Sequence, residues 1–167
     1  MRDSAQILPN PNTLQSGAHR SMKIAVIDDT ASDREALIQM LRAYFREKLH
    51  TALQLEPFSS GEALLCHFAR GAYDLIFLDI FMNGMSGVKT ARRIRTVDDQ
   101  VRLIFITTSN DFASESYAVR AENYLLKPCS QEALTRVLDQ LTLAQQATGA
   151  LITLPNGQSV PLQAIIY

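Results

Sequence analysis

The chain has 167 residues, 47% of them hydrophobic and 20% charged, with a formal net charge of -1. That length and composition suit one packed soluble domain with tails, or one domain and a fragment of another. The near-neutral charge gives no electrostatic argument for nucleic acid or an anionic membrane, and no apolar run is long enough to span a bilayer. Two cysteines outside any CxxC pattern, Cys66 and Cys129, speak against a disulfide framework or a zinc site and fit a reducing cytosol.

Residues 1–21 are rich in Asn, Pro, Ser and Gln without a period, lack the apolar core of a secretory signal, and are expected to be a disordered leader or tag. Patterned chain begins at Met22. Lys23 to Ile27 (KIAVI) reads as a short apolar strand ending in Asp28-Asp29, and Thr30 can cap a helix whose apolar face is Leu37, Met40, Leu41, Tyr44 and Phe45. Ala52 to Phe58 alternates like a strand, and Ser60 to Arg70 reads as a helix stopped by Gly71. Leu75 to Leu78 is a fully apolar strand followed by Asp79, and Val88 to Arg95 is a helix whose Arg92, Arg93 and Arg95 read as a solvated face. Leu103 to Ile106 is a fourth strand ending in Thr107. Ala113 to Val119 is a short helix, and Tyr124 to Leu126 is a fifth strand ending in Lys127-Pro128. Ser130 can cap the last long helix, which carries Leu134, Val137, Leu138 and Leu141 on one face. Leu151 to Tyr167 reads as strand, Asn156-Gly157 turn, strand.

Five strands alternating with five helices predict an α/β fold, a doubly wound parallel sheet with helices on both faces. No Gly-rich loop follows the first strand, which weakens a dinucleotide or nucleoside-triphosphate reading. In such a sheet the site lies at the carboxyl ends of the strands. Those ends carry Asp28, Asp29, Asp79, Thr107 and Lys127. Three close carboxylates repel one another and call for a cation, and an all-oxygen set suits Mg²⁺. Lys127 is a mobile point charge suited to a phosphoryl group, and the Thr107 hydroxyl can donate to a phosphoryl oxygen. An aspartate in that company is a nucleophile for phosphorus, forming an aspartyl phosphate.

With these pieces in order, the sequence resembles the receiver domain of two-component response regulators. The resemblance rests on VIDD (Val26 to Asp29), LIFLDIFMNGMSG around Asp79, FITTS around Thr107 and YLLKP (Tyr124 to Pro128), and it covers residues 22 to about 145. It implies a flavodoxin-like five-stranded sheet in the order 2-1-3-4-5 flanked by five helices. It makes Asp79 the phosphoacceptor and Asp28, Asp29, Asp79 and the backbone carbonyl of Phe81 the Mg²⁺ ligands. Lys127 becomes the phosphoryl contact, Thr107 and Tyr124 the switch pair, and the Lys127–Pro128 bond cis. The implied partner is a sensor histidine kinase in the cytoplasm, with dimerisation on phosphorylation through the face of the fourth helix, fifth strand and last helix. The sequence departs from the common pattern at Asn83, where many receivers have Pro, and at Cys129, where Phe is frequent. Phe81 and Ser109 stand where this family tunes the lifetime of the phosphoryl group.

The segments DDTASDREAL, DIFMNGMSG and TTSNDFASESYAVRAENYLLKP resemble receivers that precede a LytTR-type DNA-binding domain. Residues 146–167 are then expected to be a linker and the truncated start of that domain, so that DNA is contacted only through the missing part.

Taken singly, each feature has a plainer reading. Asp28-Asp29 can be acids at a helix N-terminus, Asp79 a turn cap, Lys127 a solvated charge and Tyr124 a core aromatic. His19, His50 and His67 are scattered and read as structural or exposed. Two other functions stay open: a phosphorylation-independent pseudo-receiver, and a Mg²⁺-dependent phosphohydrolase with Asp79 as nucleophile. The second wants an acid two residues after Asp79, where the chain has Phe81.

Overall fold

The computed structural model describes residues 21–48, 52–109, 118–149, 151–153 and 159–161, with side chains described as far as Leu141. In chain order the elements are β1 (Met22–Ile27), α1 (Ala31–Lys48), β2 (Leu53–Phe58), α2 (Gly61–Leu65), β3 (Leu75–Asp79), α3 (Gly87–Val97), β4 (Arg102–Thr107), β5 (Asn123–Leu126), α4 (Gln131–Gly149), β6 (Leu151–Thr153) and β7 (Ser159–Pro161). The first five strands form one parallel sheet in the order β2-β1-β3-β4-β5. That is the doubly wound arrangement expected, with four helices among the described residues. The fifth expected helix, Ala113 to Val119, lies almost wholly outside them, as do the leader, His19 and His50.

The period of two in the strands divides the core. Ile24 and Val26 of β1, Leu75 and Phe77 of β3 and Ile104 and Ile106 of β4 face α1 and α4, meeting Leu37, Leu41, Phe45, Leu134 and Leu138. Ala25, Ile27, Ile76, Leu78, Leu103 and Phe105 face the other way, onto Leu64 of α2 and Val88, Ala91 and Ile94 of α3. Helices on both faces leave every residue of β3 buried, which is why LIFLD reads as one apolar run to its last residue.

Two expectations need correction. The helix read from Ser60 to Arg70 ends at Leu65. Beyond it His67 and Phe68 donate to the carbonyls three residues back, Leu64 and Leu65, which tightens the last turn. Phe68 then stacks on Tyr73, its ring 6.3 Å away, and Gly71 turns the chain at φ 72° while its N–H is held by the buried Asp98 carboxylate. Packing of one aromatic pair overrides the helical period there. The second correction is Arg95. Arg92 and Arg93 are exposed, but the Arg95 guanidinium turns inward. It donates to the carbonyls of Val119 (2.7 Å), Val101 (2.6 Å), Asp98 (3.3 Å) and Arg120 (3.1 Å). It thus ties the end of α3 to the segment leading into β5.

Ser60, Ser86 and Ser130 each accept an N–H from three residues on, capping α2, α3 and α4. Gly87 opens α3 against the tip of β3, where a Cβ would stand 2.1 Å from the Asp79 carbonyl oxygen and 2.9 Å from the Ile80 Cα. Both neighbours are backbone, so a methyl group has no flexible side chain to push aside. Gly87→Ala is expected to cost about 2–3 kcal/mol in chemical denaturation, and a cost under about 0.5 kcal/mol would show that the tip of β3 yields freely.

The tail forms a separate antiparallel pair, with Leu151 opposite Pro161 and Thr153 opposite Ser159. The expected Asn156-Gly157 turn and the closing AIIY lie outside the described residues.

Candidate functional site

The strand order reverses between β1 and β3, because the chain leaves β1 for β2 on one side and then crosses to β3 on the other. The crevice at the carboxyl ends of these two strands is where an open parallel sheet binds its ligands. Asp28 follows β1 and is 6% exposed, and Asp79 ends β3 and is 4% exposed. With the half-buried Asp29 they form a set in which one oxygen from each carboxylate lies within 4.8 Å of the others.

Each carboxylate is oriented by backbone. Asp28 Oδ1 accepts the Thr30 N–H at 2.8 Å, and Asp79 Oδ1 accepts the Phe81 N–H at 3.1 Å. Asp29 Oδ2 accepts both the backbone N–H (2.9 Å) and the side-chain amide (2.8 Å) of Asn83. The backbone N–H of Phe81 is therefore drawn against the site, although the residue is 45% exposed.

Lys127 reaches in from the end of β5, anchored by its own N–H to the Thr107 carbonyl at 2.8 Å. Its ammonium meets Asp28 Oδ2 at 2.7 Å, Asp79 Oδ2 at 2.8 Å and Asp33 Oδ2 at 3.0 Å, one acceptor for each of its three donors. The Lys127–Pro128 bond is cis. A cavity of about 350 Å³ opens beside this ammonium, between Leu37 and Met40 of α1 and Pro128-Cys129.

Thr107, fully buried, and Tyr124, half-buried, meet through one residue. The Thr107 hydroxyl accepts the Ser109 N–H at 3.4 Å, and the Tyr124 hydroxyl donates to the Ser109 carbonyl. Ser109 thus joins the end of β4 to an aromatic of β5.

Burial pushes the Asp79 carboxyl above its ordinary range. Lys127 and the Phe81 N–H pull it back without cancelling the shift, and the Asp28 charge adds to it. For Lys127 burial opposes the ammonium, but its bonds to Asp28, Asp79 and Asp33 outweigh burial and hold its pKa above the usual lysine range. Four carboxylates around one ammonium leave a surplus of negative charge at the tips of β1 and β3.

These donors fit a hard divalent cation. They are all oxygen, and Mg²⁺ holding oxygens at about 2.0–2.1 Å accepts separations up to about 4.2 Å, a small side-chain adjustment from the spacing present.

The structure brings Asp28, Asp29, Asp79 and Lys127 together, sets the Phe81 backbone beside them, and links Thr107 to Tyr124. Sequence reasoning missed the contacts of three residues. Asp33 reads as an ordinary first-turn acid of α1, five residues after Asp28, and only the placement of α1 over Lys127 recruits it. Asn83 reads as a loop departure, and its partner Asp29 lies 54 residues away; for Ser109 the resemblance implied a bearing on phosphoryl lifetime but not the bond to Tyr124, 15 residues on.

Known proteins resemble this chain over most of its length. A family model for the response regulator receiver domain matches residues 24–139. The positive alginate biosynthesis regulatory protein of Pseudomonas aeruginosa is 31% identical over 143 residues, covering 84% of this chain and 56% of that protein. The sensory transduction protein LytR of Staphylococcus epidermidis is 28% identical, covering 74% of this chain and 47% of that one. The chain thus spans about half the length of these curated relatives. Among solved structures, the Mg²⁺–BeF complex of the response regulator TrrA from Thermotoga maritima matches at 30% identity and a TM-score of 0.60, over 72% of this chain and 98% of that one. The response regulatory domain of mrkE from Klebsiella pneumoniae matches at 26% identity and a TM-score of 0.63, over 75% of this chain and 98% of that one.

Proposed function

Because the chain belongs to the response regulator receiver family, in its LytTR-type group, we propose that Asp79 accepts a phosphoryl group from a sensor histidine kinase and thereby switches a transcriptional output. The observation that carries this reading is the buried Asp79 carboxylate, bonded to Lys127 at 2.8 Å and clustered with Asp28 and Asp29. Receivers of this kind are signalling modules of two-component systems rather than turnover enzymes, and sensor histidine kinases are their partners.

In the proposed step an Asp79 oxygen forms the new bond to phosphorus, and the bond from phosphorus to the donor's imidazole nitrogen breaks, the electron pair leaving with that nitrogen. Asp28, Asp29, Asp79 and the Phe81 carbonyl would hold Mg²⁺, which when bound neutralises charge on the phosphoryl oxygens. Lys127 exchanges its bond to Asp79 Oδ2 for one to a phosphoryl oxygen, while Asp28 and Asp33 keep it aimed. Thr107 turns its hydroxyl toward the phosphoryl group and releases Ser109. Tyr124, bonded to the Ser109 carbonyl, then repacks. This switch would change the face around β5 and favour a homodimer. DNA would be reached only through a LytTR-type module beyond the receiver. No helix among the described residues is long and apolar enough to cross a membrane, and the proposed setting is the cytoplasm.

The test is intact mass after incubation with a small acyl-phosphate or phosphoramidate donor and Mg²⁺. One added phosphoryl group, absent when Mg²⁺ is chelated, is the expected result. A folded chain that takes up none would instead be a phosphorylation-independent module.

A further inference from the structure

We propose that Asn83 is a positioning residue for the divalent-cation site, acting through Asp29. The proposal rests on the reading of Asp28, Asp29 and Asp79 as cation ligands. Both hydrogen bonds of Asn83 converge on one oxygen, Asp29 Oδ2, from the backbone N–H at 2.9 Å and from Nδ2 at 2.8 Å. Two donors engage both lone pairs of that oxygen, leaving Oδ1 as the oxygen with capacity to ligate. The amide must present its nitrogen to the carboxylate, because the reverse orientation would set oxygen against oxygen.

A carboxylate held on one oxygen and open on the other is already turned for a metal, and the partners that orient ligands commonly control affinity. Asp29 depends on such help more than its neighbours. Asp28 and Asp79 are buried, and each carboxylate is bonded to Lys127 as well as to a backbone N–H. Asp29 is half-buried, and the bonds described at its carboxylate come from Asn83. A proline at this position, which many receivers carry, has neither the N–H nor the amide. Asn83 thus gives this chain a grip on Asp29 that a proline could not provide.

The far end of the same loop is secured independently. Glu62 at the start of α2 accepts the Met85 N–H at 2.8 Å. Loss of the Asn83 amide therefore loosens Asp29, which keeps only the backbone N–H at 2.9 Å, without detaching the loop, and this supplies a control.

The experiment titrates the full chain with Mg²⁺ by calorimetry, for wild type, Asn83→Ala and Glu62→Ala, and records the thermal midpoint of each without metal. Asn83→Ala is expected to bind Mg²⁺ about tenfold more weakly with its metal-free midpoint unchanged. Glu62→Ala is expected to lose less than about twofold. Equal or tighter binding by Asn83→Ala overturns the proposal, and so does an equal loss in both variants, which would mean loop order rather than orientation of Asp29. A wild type that binds no Mg²⁺ overturns the cation-site reading itself, an outcome distinct from the other two.

Discussion

Asp79→Asn is expected to take up no phosphoryl group under conditions proposed to label the wild type, and at pH 7 to unfold at a higher temperature than the wild type. The first effect is complete because an amide oxygen carries no charge to direct at phosphorus. An adduct on the variant would place the acceptor at a different aspartate. The second follows from burial. Asp79 is 4% exposed, and desolvation disfavours its charged form by more than Lys127 and the Phe81 N–H recover, with the Asp28 charge adding to the penalty. Replacing the charge while keeping the shape, and keeping Lys127 on Asp28 and Asp33, should gain on the order of 1–2 kcal/mol, a few degrees in Tm.

The pH dependence has a definite sign. Burial raises the folded-state pKa of Asp79 above its unfolded value. As pH rises from the unfolded value, about 3.9, the unfolded chain releases this proton first. Stability falls until the folded carboxyl has also ionised, and the penalty then stays constant. The gain in Asp79→Asn is therefore absent below about pH 4 and grows as pH rises above it, as thermal melts from about pH 4 to 7 would show. A lower midpoint at pH 7 would mean that attraction to Lys127 outweighs the cost of burial.

Lys127→Met is expected to cost about 3 kcal/mol at pH 7 in urea denaturation, and added Mg²⁺ to restore more stability to the variant than it adds to the wild type. Methionine keeps much of the side-chain volume but abandons three carboxylates at 2.7, 2.8 and 3.0 Å, two of them buried. Removing one partner of a buried ion pair leaves the other as an uncompensated charge, which is the expensive case. Arg34 does not substitute, since its guanidinium is spent on the Asp28 carbonyl rather than on a carboxylate. The folded-state pKa of Lys127 is raised, so its contribution is fully present below the unfolded value of about 10.4 and is lost as pH climbs through the folded one. The gap between variant and wild type should hold across neutral pH and narrow in acid, where Asp79 takes up a proton. A gap under about 1 kcal/mol at pH 7 would show that the carboxylates escape to water when the ammonium is removed.

The parts of this protein legible in the sequence are those governed by the parallel sheet. Strands that run the same way end on the same side. The residue after each apolar run, Asp28, Asp79, Thr107 or Lys127, therefore had to arrive at one edge whatever the helices did. The order of motifs along the chain was enough to place the fold in its family, and the period of two was enough to divide the core between two faces. Tertiary packing decided everything that depends on a partner distant in sequence. Whether α2 ran on to Arg70 turned on the Phe68–Tyr73 stack, and whether Arg95 faced water turned on four carbonyls from separate segments. Asp33 joined Lys127 because α1 lies over the end of β5. Asn83 took hold of Asp29 across 54 residues. A strand tip is specified by local periodicity. A hydrogen bond between loops is specified by where two independent elements come to rest, and only the packed molecule carries that information.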